Sequence, residues 1–340
     1  MPTIPTARTP DPRAAPALRW GVLGTGWIAE KFAIALQRNT TQQVYAVGSR
    51  SRVGAQAFAA RVGAPTAYGS YEALVSDPRV DVVYVATPHN YHHAHGLLAI
   101  AAGKPVLIEK PIAVSAQQAG ELAAAATAAG VLCMEAFWTL FLPKYDVLGQ
   151  LVGDLGVDTV LADMGECFPP EHRIFDARLA GGPLFDMGTY PLSLALWALG
   201  DPASISAYGA PTDQGGYGEI NGALSIAMQA TGGGLASLYT SIVAATPTTA
   251  TLAGPGHTIV IDGPFYQPGG FTVTTPDGAR VRYDEEPVAH EGGLHFQAAA
   301  VARHVAAGEL GSAIRPMSDA VRLLRVMDEV RRQVGIALPL

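Results

Sequence analysis

The sequence contains few cysteines and few charged residues. Its two cysteines are Cys133 and Cys167. Their spacing matches neither a disulfide framework nor a zinc site, so we expect both to be reduced and buried. Charged residues make up 15% of the chain and hydrophobic residues 49%. This composition is typical of a folded globular protein and excludes a chain that is disordered throughout.

Other absences restrict the partners and the location of the protein. A net charge of −7 disfavours binding to nucleic acid or to an anionic membrane. No apolar run reaches the ~18 uncharged residues of a membrane span. Residues 1–18 are rich in proline, alanine and arginine, and they lack the apolar centre of a secretory signal. We therefore expect a disordered tail over residues 1–18 and a cytoplasmic protein.

The length of 340 residues predicts two domains. Over residues 19–132, short apolar segments alternate with helical ones, which predicts an α/β domain with a doubly wound parallel sheet. Over residues 133–340, strand-like segments follow one another between glycine, proline and aspartate turns. This pattern predicts an α+β domain with a large, open, mostly antiparallel sheet. The last helix is expected to pack back on the first domain.

The large sheet has two faces, and the predicted helices cover only one of them. An uncovered sheet face that is apolar needs a partner. We therefore expect the second face to be buried in a homodimer or a higher homo-oligomer.

A glycine-rich turn follows the first strand, with the sequence Gly24-Thr-Gly26-Trp27-Ile28-Ala, which is G-x-G-x-x-A. The first glycine permits a tight turn, and the second lets a pyrophosphate approach the backbone. The helix that follows presents free N–H groups and the positive end of its dipole to the phosphates. This context predicts a dinucleotide-binding Rossmann domain, with Gly24, Gly26, Trp27 and Ile28 at the cofactor.

The end of the second strand indicates which dinucleotide binds. An acidic residue there would hold the ribose 2′-hydroxyl of NAD, whereas the chain has Ser49 and Arg50 at this point. Hydroxyl and guanidinium groups suit a phosphate. The sequence therefore favours NADP(H) over NAD(H). The alternative is that Arg50 is only a solvated charge of the loop.

A histidine-rich segment follows the strand that ends near residue 86. Its first residues, Thr87 and Pro88, leave the carboxyl end of the sheet, where open α/β sheets bind ligands. No carboxylate lies among the histidines to complete a metal site, so no metal is predicted. His92 is expected to pack or cap at the cofactor crevice.

The next strand runs into Glu109, Lys110 and Pro111. Charged residues are seldom buried without a partner, and a lysine at the carboxyl end of a strand is placed to bind substrate. Its ammonium group would stabilise the charge that develops on an alkoxide. The alternative reading is a structural ion pair or a surface lysine.

Several of these motifs together carry a family resemblance. G-x-G-x-x-A, the segment from Thr87 through Glu109-Lys110-Pro111, and the later "GGPLFDMGTY" resemble the glucose–fructose oxidoreductase / inositol dehydrogenase / MocA family. The segments "MEAFWTLFLPKY" and "HRIFDARLAGGPLFDMGTY" are most similar to dimeric dihydrodiol dehydrogenases and NADP-dependent D-xylose dehydrogenases. The resemblance implies that Glu109 lies at the cofactor and that Lys110 lies beside the nicotinamide, bound to the substrate hydroxyl.

The second domain supplies the remaining candidate residues. Asp186 and Tyr190 are spaced to lie on one face of an apolar helix, where inward-facing polar groups need partners. We interpret Tyr190 as the residue that exchanges the hydroxyl proton and Asp186 as one that positions substrate or Lys110. Trp138 and Phe141 are expected to wall the substrate pocket, with ordinary core packing as the alternative. The resemblance implies a substrate role for Arg173.

These inferences predict an NADP-dependent oxidoreductase acting on a secondary alcohol or ketone of a sugar, polyol or dihydrodiol. Two alternatives stay open: a non-catalytic NADP-binding sensor, and a sugar–sugar oxidoreductase with a tightly bound cofactor. Leu140 departs from the subgroup, which usually has arginine at this position. The identity of the substrate is therefore not transferred from the subgroup.

Overall fold

The computed structural model describes residues 3–216, 219–285 and 291–337. These residues divide into two compact units. The described residues of 9–141 and 289–321 form one of them, which we call the parallel-sheet unit. Those of 1–8, 142–288 and 322–340 form the other, the large-sheet unit.

The parallel-sheet unit contains a sheet with the order β3-β2-β1-β4-β5-β6, in which every described pair is parallel. The strands are β1 (Arg19–Leu23), β2 (Gln43–Gly48), β3 (Thr66–Tyr68), β4 (Val82–Val85), β5 (Val106–Glu109) and β6 (Cys133–Ala136). Helices connect them: α1 (Trp27–Asn39), α2 (Arg52–Val62), α3 (Tyr71–Val75), α4 (His92–Ala101) and α5 (Ala116–Ala129). The predicted doubly wound fold is confirmed.

The sequence explains where these elements begin and end. Every residue of β4 is buried, as expected for a central parallel strand covered on both faces. Ser51 and Ser115 precede α2 and α5, and each side chain accepts a hydrogen bond from a backbone N–H of the first turn. Both helices end at a left-handed glycine, Gly63 and Gly130.

The large-sheet unit contains a sheet with the order β14-β13-β12-β11-β7-β10-β9-β8. The strands are β7 (Thr159–Gly165), β8 (Pro202–Thr212), β9 (Ile220–Ala230), β10 (Leu235–Ser241), β11 (Ala250–Gly254), β12 (His257–Ile261), β13 (Phe271–Thr274) and β14 (Arg280–Tyr283). Its described pairs are antiparallel except β7 with β10, which is parallel. The predicted open sheet is confirmed.

Three helices of this unit are α6 (Pro143–Leu155), α7 (Pro183–Asp186) and α8 (Thr189–Leu199). Of these, α7 packs on β9 and β10. The apolar helix α8 packs on β7 and β10, the two neighbouring strands that run parallel. Alternate residues of β7, β9 and β10 are buried, so these strands have one covered and one open face.

The assignment of the two carboxyl-terminal helices to the units differs from the expectation that the last helix packs on the first domain. The helix that packs on α1 of the parallel-sheet unit is α9 (Glu291–Ala307). In the last helix, α10 (Met317–Val334), the residues from Arg322 onward belong instead to the large-sheet unit. There Gln333 hydrogen-bonds Ala207 and Ile205 of β8. The units also divide after Phe141 rather than near residue 132, because the 3-10 helix Trp138–Phe141 packs on α9.

The segment before Arg19, where the composition predicts disorder, has specific contacts. Arg8 binds Asp146 through its backbone N–H at 2.6 Å and through its guanidinium at 2.9 Å. Further along, Ala15 is buried against Ala299 and Ala302 of α9. Such packing could not be predicted from this alanine-rich segment, because the burial of one methyl group between two helical alanines produces no recognisable sequence pattern.

The expectation that both cysteines are buried is confirmed for only one of them. Cys133 is buried as expected, whereas the expectation for Cys167 was wrong because that residue is exposed, just after β7 ends. Among the described residues, no helix is both long enough and apolar enough to cross a membrane.

Candidate active site

The glycine turn between β1 and α1 has the geometry that a pyrophosphate site requires. Gly24 has a φ of +108°, and a Cβ there would lie 2.5 Å from the carbonyl oxygen of Ala86. Gly26 precedes the first turn of α1, and no atom lies within 4 Å of the position its Cβ would occupy. The backbone at Gly26 is therefore open to a phosphate, and the helix directs its free N–H groups there. Of the next two residues, Trp27 is exposed and Ile28 is partly buried.

The loop after β2 carries the residues predicted to choose the cofactor. The Ser49 hydroxyl accepts a hydrogen bond from the N–H of Ser51 at 3.3 Å. Arg50 is exposed, and its guanidinium carbon lies 6.0 Å from the ring centroid of Tyr91. The stretch Gly48–Ser51 has no carboxylate. The loop therefore offers hydroxyl and cationic groups to a ligand.

The loop after β4 is held by two histidines. The Thr87 hydroxyl lies 2.9 Å from Nδ1 of His95, and the adjacent Pro88 is partly buried. The ring of His92 is fully buried, with Nδ1 2.7 Å from the Pro111 carbonyl oxygen and Nε2 2.7 Å from that of Thr87. Burial lowers the pKa of His92 to about 4, so the ring is neutral at pH 7 and donates its single N–H to one of these two carbonyl oxygens.

Lys110 follows β5 directly, at the same carboxyl edge of the sheet as the glycine turn. Its side chain is partly buried. The buried carboxylate of Glu109 accepts hydrogen bonds from the hydroxyl of Tyr84 and from the N–H of Lys110, the latter at 3.2 Å. The resemblance implies that Glu109 lies at the cofactor, and in the structure its carboxylate binds the backbone at the start of the turn from Lys110 to Ile112, which we call the lysine turn. Tyr84 was missed because its strand reads as uniformly apolar.

Two of the predicted substrate-side residues lie on separate helices. α7 ends at Asp186 and α8 begins at Thr189, so the expectation of one continuous helical face was wrong. Tyr190 is buried in the first turn of α8, and its ring stacks on Tyr266 with centroids 4.5 Å apart. Arg173 lies beside the partly exposed Asp186, with Nη2 3.8 Å from Oδ2. These predicted residues therefore share the large-sheet unit.

Additional titratable groups surround Asp186. Burial and the negative charge of Asp186 raise the pKa of Glu166. Burial also raises the pKa of Tyr266. Burial and the nearby positive Arg173 lower the pKa of His172. No sequence motif indicates these residues, because they lie on loops and only the fold brings them to Asp186.

Trp138 and Phe141 lie on the 3-10 helix Trp138–Phe141 of the parallel-sheet unit, and both are buried. In the described part of the chain, no group of three histidine, cysteine or acidic side chains is arranged to hold a metal ion.

Two family models match the chain. Residues 18–137 match the oxidoreductase family with an NAD-binding Rossmann fold, and residues 155–263 match the GFO/IDH/MocA C-terminal domain. A trans-1,2-dihydrobenzene-1,2-diol dehydrogenase of Danio rerio is 34% identical, covering 94% of this chain and 98% of its own length.

Solved structures give the same result. A 3-ketoreductase of Actinomadura kijaniata, solved with NADP and TDP-benzene, is 26% identical with a TM-score of 0.80, covering 94% of this chain and 98% of its own. A levoglucosan dehydrogenase solved with NADH and levoglucosan shares the fold, with a TM-score of 0.83 at 15% identity, covering 94% and 98%. The chain therefore belongs to the GFO/IDH/MocA family of NAD(P)-binding oxidoreductases.

Proposed function

We propose that this oxidoreductase is an NADP(H)-dependent dehydrogenase acting on a secondary alcohol or ketone of a sugar, polyol or dihydrodiol. The observation that carries the proposal is Lys110, held at the same sheet edge as the open turn at Gly26. The dihydrodiol dehydrogenase relative and the NADP-bound ketoreductase support a CH–OH substrate.

The proposed mechanism assigns one task to each polar residue. The bound nicotinamide supplies or accepts the hydride. The Lys110 ammonium donates a hydrogen bond to the reacting oxygen and stabilises its negative charge. Tyr190 exchanges the hydroxyl proton, and Asp186 and Arg173 hold neighbouring polar groups of the substrate. Trp138 and Phe141 provide an apolar wall. The Gly24–Gly26 turn holds the pyrophosphate.

The preference for NADP(H) is proposed from the loop after β2. Arg50 is exposed there, and Ser49 carries a hydroxyl, which are groups that suit a 2′-phosphate. A relative bound to NADP and a relative bound to NADH are both known within the fold, so the preference rests on these two side chains.

The first test is a titration with NADPH and NADH, followed by a panel of D-xylose, D-glucose, keto-sugars and dihydrodiols in both directions. Tight NADPH binding with turnover of one substrate class supports the proposal. Binding without turnover of any member favours a sensor. Preference for NADH contradicts the role of Arg50, and cofactor that stays bound through dialysis favours the sugar–sugar oxidoreductase.

A variant separates chemistry from cofactor binding. Lys110→Ala is expected to lower kcat by about 100-fold or more while NADPH affinity stays near that of the wild type, because the lysine stabilises charge in the transition state. The measurement is steady-state kinetics with fluorescence titration of NADPH. Arg61→Ala, which removes an exposed positive charge from the same unit, is the control. Near-normal kcat for Lys110→Ala would contradict the assignment.

We further propose that a second copy of the chain covers the open face of the large sheet. Five large apolar side chains are exposed on this face, including Tyr208 at 77% and Leu235 at 57%. The strand register places Tyr208 and Tyr239 in one cross-strand row, and Leu161 and Val260 in another. An apolar face of this kind is typical of a protein interface. A cytoplasmic location is also proposed, supported by the two free thiols.

A further inference from the structure

The turn that carries Lys110 is held by a buried ion pair on the neighbouring strand. Ile112, two residues after Lys110, donates its backbone N–H to Oε1 of Glu135 at 2.9 Å. Glu135 is on β6, which pairs with β5. Its other oxygen, Oε2, accepts a hydrogen bond from Nε of Arg315 at 2.7 Å. All of these residues belong to the parallel-sheet unit.

Both partners of this pair are removed from solvent. The exposed fraction of the side chain is 1% for Glu135 and 4% for Arg315. The Arg315 guanidinium carbon lies 4.7 Å from the centroid of the Phe137 ring, which covers its face. The carboxylate therefore binds two partners, one through each oxygen: the backbone N–H of Ile112 and the guanidinium of Arg315.

Stability alone is a weak reason for such a pair. Desolvation of two charges offsets most of their attraction, so apolar residues of the same volume often stabilise a fold as well or better. A backbone N–H in a buried turn has a separate requirement, because without an acceptor it loses its hydrogen bond to water and gains nothing. Glu135 meets that requirement at Ile112, and Arg315 binds the other oxygen of its carboxylate.

We propose that Glu135 is a positioning residue for catalysis, which fixes the turn from Lys110 to Ile112, and that Arg315 orients Glu135. The Glu109 carboxylate accepts a hydrogen bond from the N–H of Lys110, and the Glu135 carboxylate accepts one from the N–H of Ile112. The lysine side chain thus starts from a backbone fixed at both ends. The inference rests on the proposed function in one respect, which is that Lys110 contacts the substrate.

Two double variants separate positioning from stability. Glu135→Gln with Arg315→Met removes both charges but keeps an amide oxygen as acceptor for the Ile112 N–H. Glu135→Leu with Arg315→Met removes both charges and the acceptor. Both lose the ion pair, so they differ mainly in the bond to the lysine turn. Thermal unfolding of each variant sets an assay temperature at which both are folded.

The expected result is a split between kcat and binding. The Leu/Met variant loses about 10- to 100-fold in kcat, because a displaced catalytic group costs rate even when the substrate still binds. The Gln/Met variant stays within about 3-fold of the wild type, and NADPH affinity changes less than about 3-fold in both. Equal kcat values for the two variants, or a matching loss of NADPH affinity in the Leu/Met variant, would overturn the proposal.

A second measurement does not need a substrate. Hydrogen exchange of the Ile112 amide is expected to be slow in the wild type and in the Gln/Met variant, and at least about 10-fold faster in the Leu/Met variant. Equal exchange in the two variants overturns the positioning role whether or not a substrate is found. Absence of turnover by the wild type, or normal turnover by Lys110→Ala, counts instead against the proposed function.

Discussion

At the scale of single residues, Gly24 and Gly26 belong to one turn but are constrained by different atoms. Gly24 has a left-handed φ of +108° and faces the Ala86 carbonyl. Gly26 has a φ of −80° and faces open space. Gly24 is therefore required by the fold itself, whereas Gly26 is required by the proposed ligand.

Alanine at each position distinguishes the two requirements. Gly24→Ala is expected to lower the free energy of unfolding by about 2 kcal/mol or more, since it combines backbone strain with a clash. Gly26→Ala is expected to leave the melting temperature unchanged and to weaken NADPH binding by about 10-fold or more, because its methyl group occupies the phosphate position. Calorimetry and NADPH titration measure both. Unchanged NADPH affinity in Gly26→Ala would remove the pyrophosphate from this turn.

Lys144 makes stability depend on pH. The side chain is fully buried in the large-sheet unit and donates to the carbonyl oxygen of Gln267. Burial lowers its pKa to about 8, from 10.5 in the unfolded chain. The unfolded state therefore binds more protons between these two values, so this contribution to stability is full above pH 10.5 and is lost as the pH falls through 8.

Between pH 7.5 and pH 10, the free energy of unfolding of the wild type is expected to rise by on the order of 2 kcal/mol more than that of Lys144→Met. Denaturant unfolding of the wild type from pH 7.5 to 10, compared with Lys144→Met, measures it. The free energy of unfolding should rise with pH more steeply in the wild type than in the variant. Parallel curves for the two proteins would show that Lys144 titrates normally in the fold.

The residues of the site differ in how far sequence predicts them. Gly24, Gly26 and Lys110 lie in short local motifs whose chemistry can be recognised from the sequence alone. Glu135 and Arg315 lie 180 positions apart, and neither has a local pattern that indicates the other. A carboxylate within an apolar strand signals a partner but does not say which one, because tertiary packing alone determines the pairing.

At the scale of elements, the strands were predictable and the helix contacts were not. Apolar runs bounded by glycine, proline and aspartate predict β1, β2, β4, β5 and β7 to β14, because backbone pairing favours the same residue types in each of them. Packing of α9 on α1 and the break between Asp186 and Thr189 depend on neighbours distant in sequence. A stripe of apolar residues indicates that a helix packs against another element, but it does not indicate which element.

The amino-terminal segment offers a test at this scale. Ala15 is buried against Ala299 and Ala302, whereas the adjacent Ala14 is exposed. Ala15→Glu is expected to lower the free energy of unfolding by about 1–3 kcal/mol, because a charge is forced against apolar helix surface. Ala14→Glu, the matched control, is expected to change it by less than about 0.5 kcal/mol. Equal melting temperatures for the two variants would mean that the segment does not dock in solution.

At the scale of the whole molecule, the open face of the large sheet determines the proposed assembly. Leu161→Glu places a charge at the centre of that face and is expected to convert the oligomer into a monomer at micromolar concentration. Sedimentation velocity measures the change. Val53→Glu, an exposed apolar position on α2 of the other unit, is the control and should leave the oligomer intact. A wild-type protein that is monomeric at all concentrations would refute the assembly.

The order of the units along the chain has a consequence for synthesis. The parallel-sheet unit takes α9 and Arg315 from beyond residue 288, after the large sheet has been made. A nascent chain released or stalled after Phe141 carries Glu135 without its guanidinium and α1 without the helix that covers it. Domains that are contiguous fold as they leave the ribosome. Here the parallel-sheet unit begins early in the chain but is complete only once residue 321 has been made, so the nascent chain depends on protection from aggregation until translation is nearly finished.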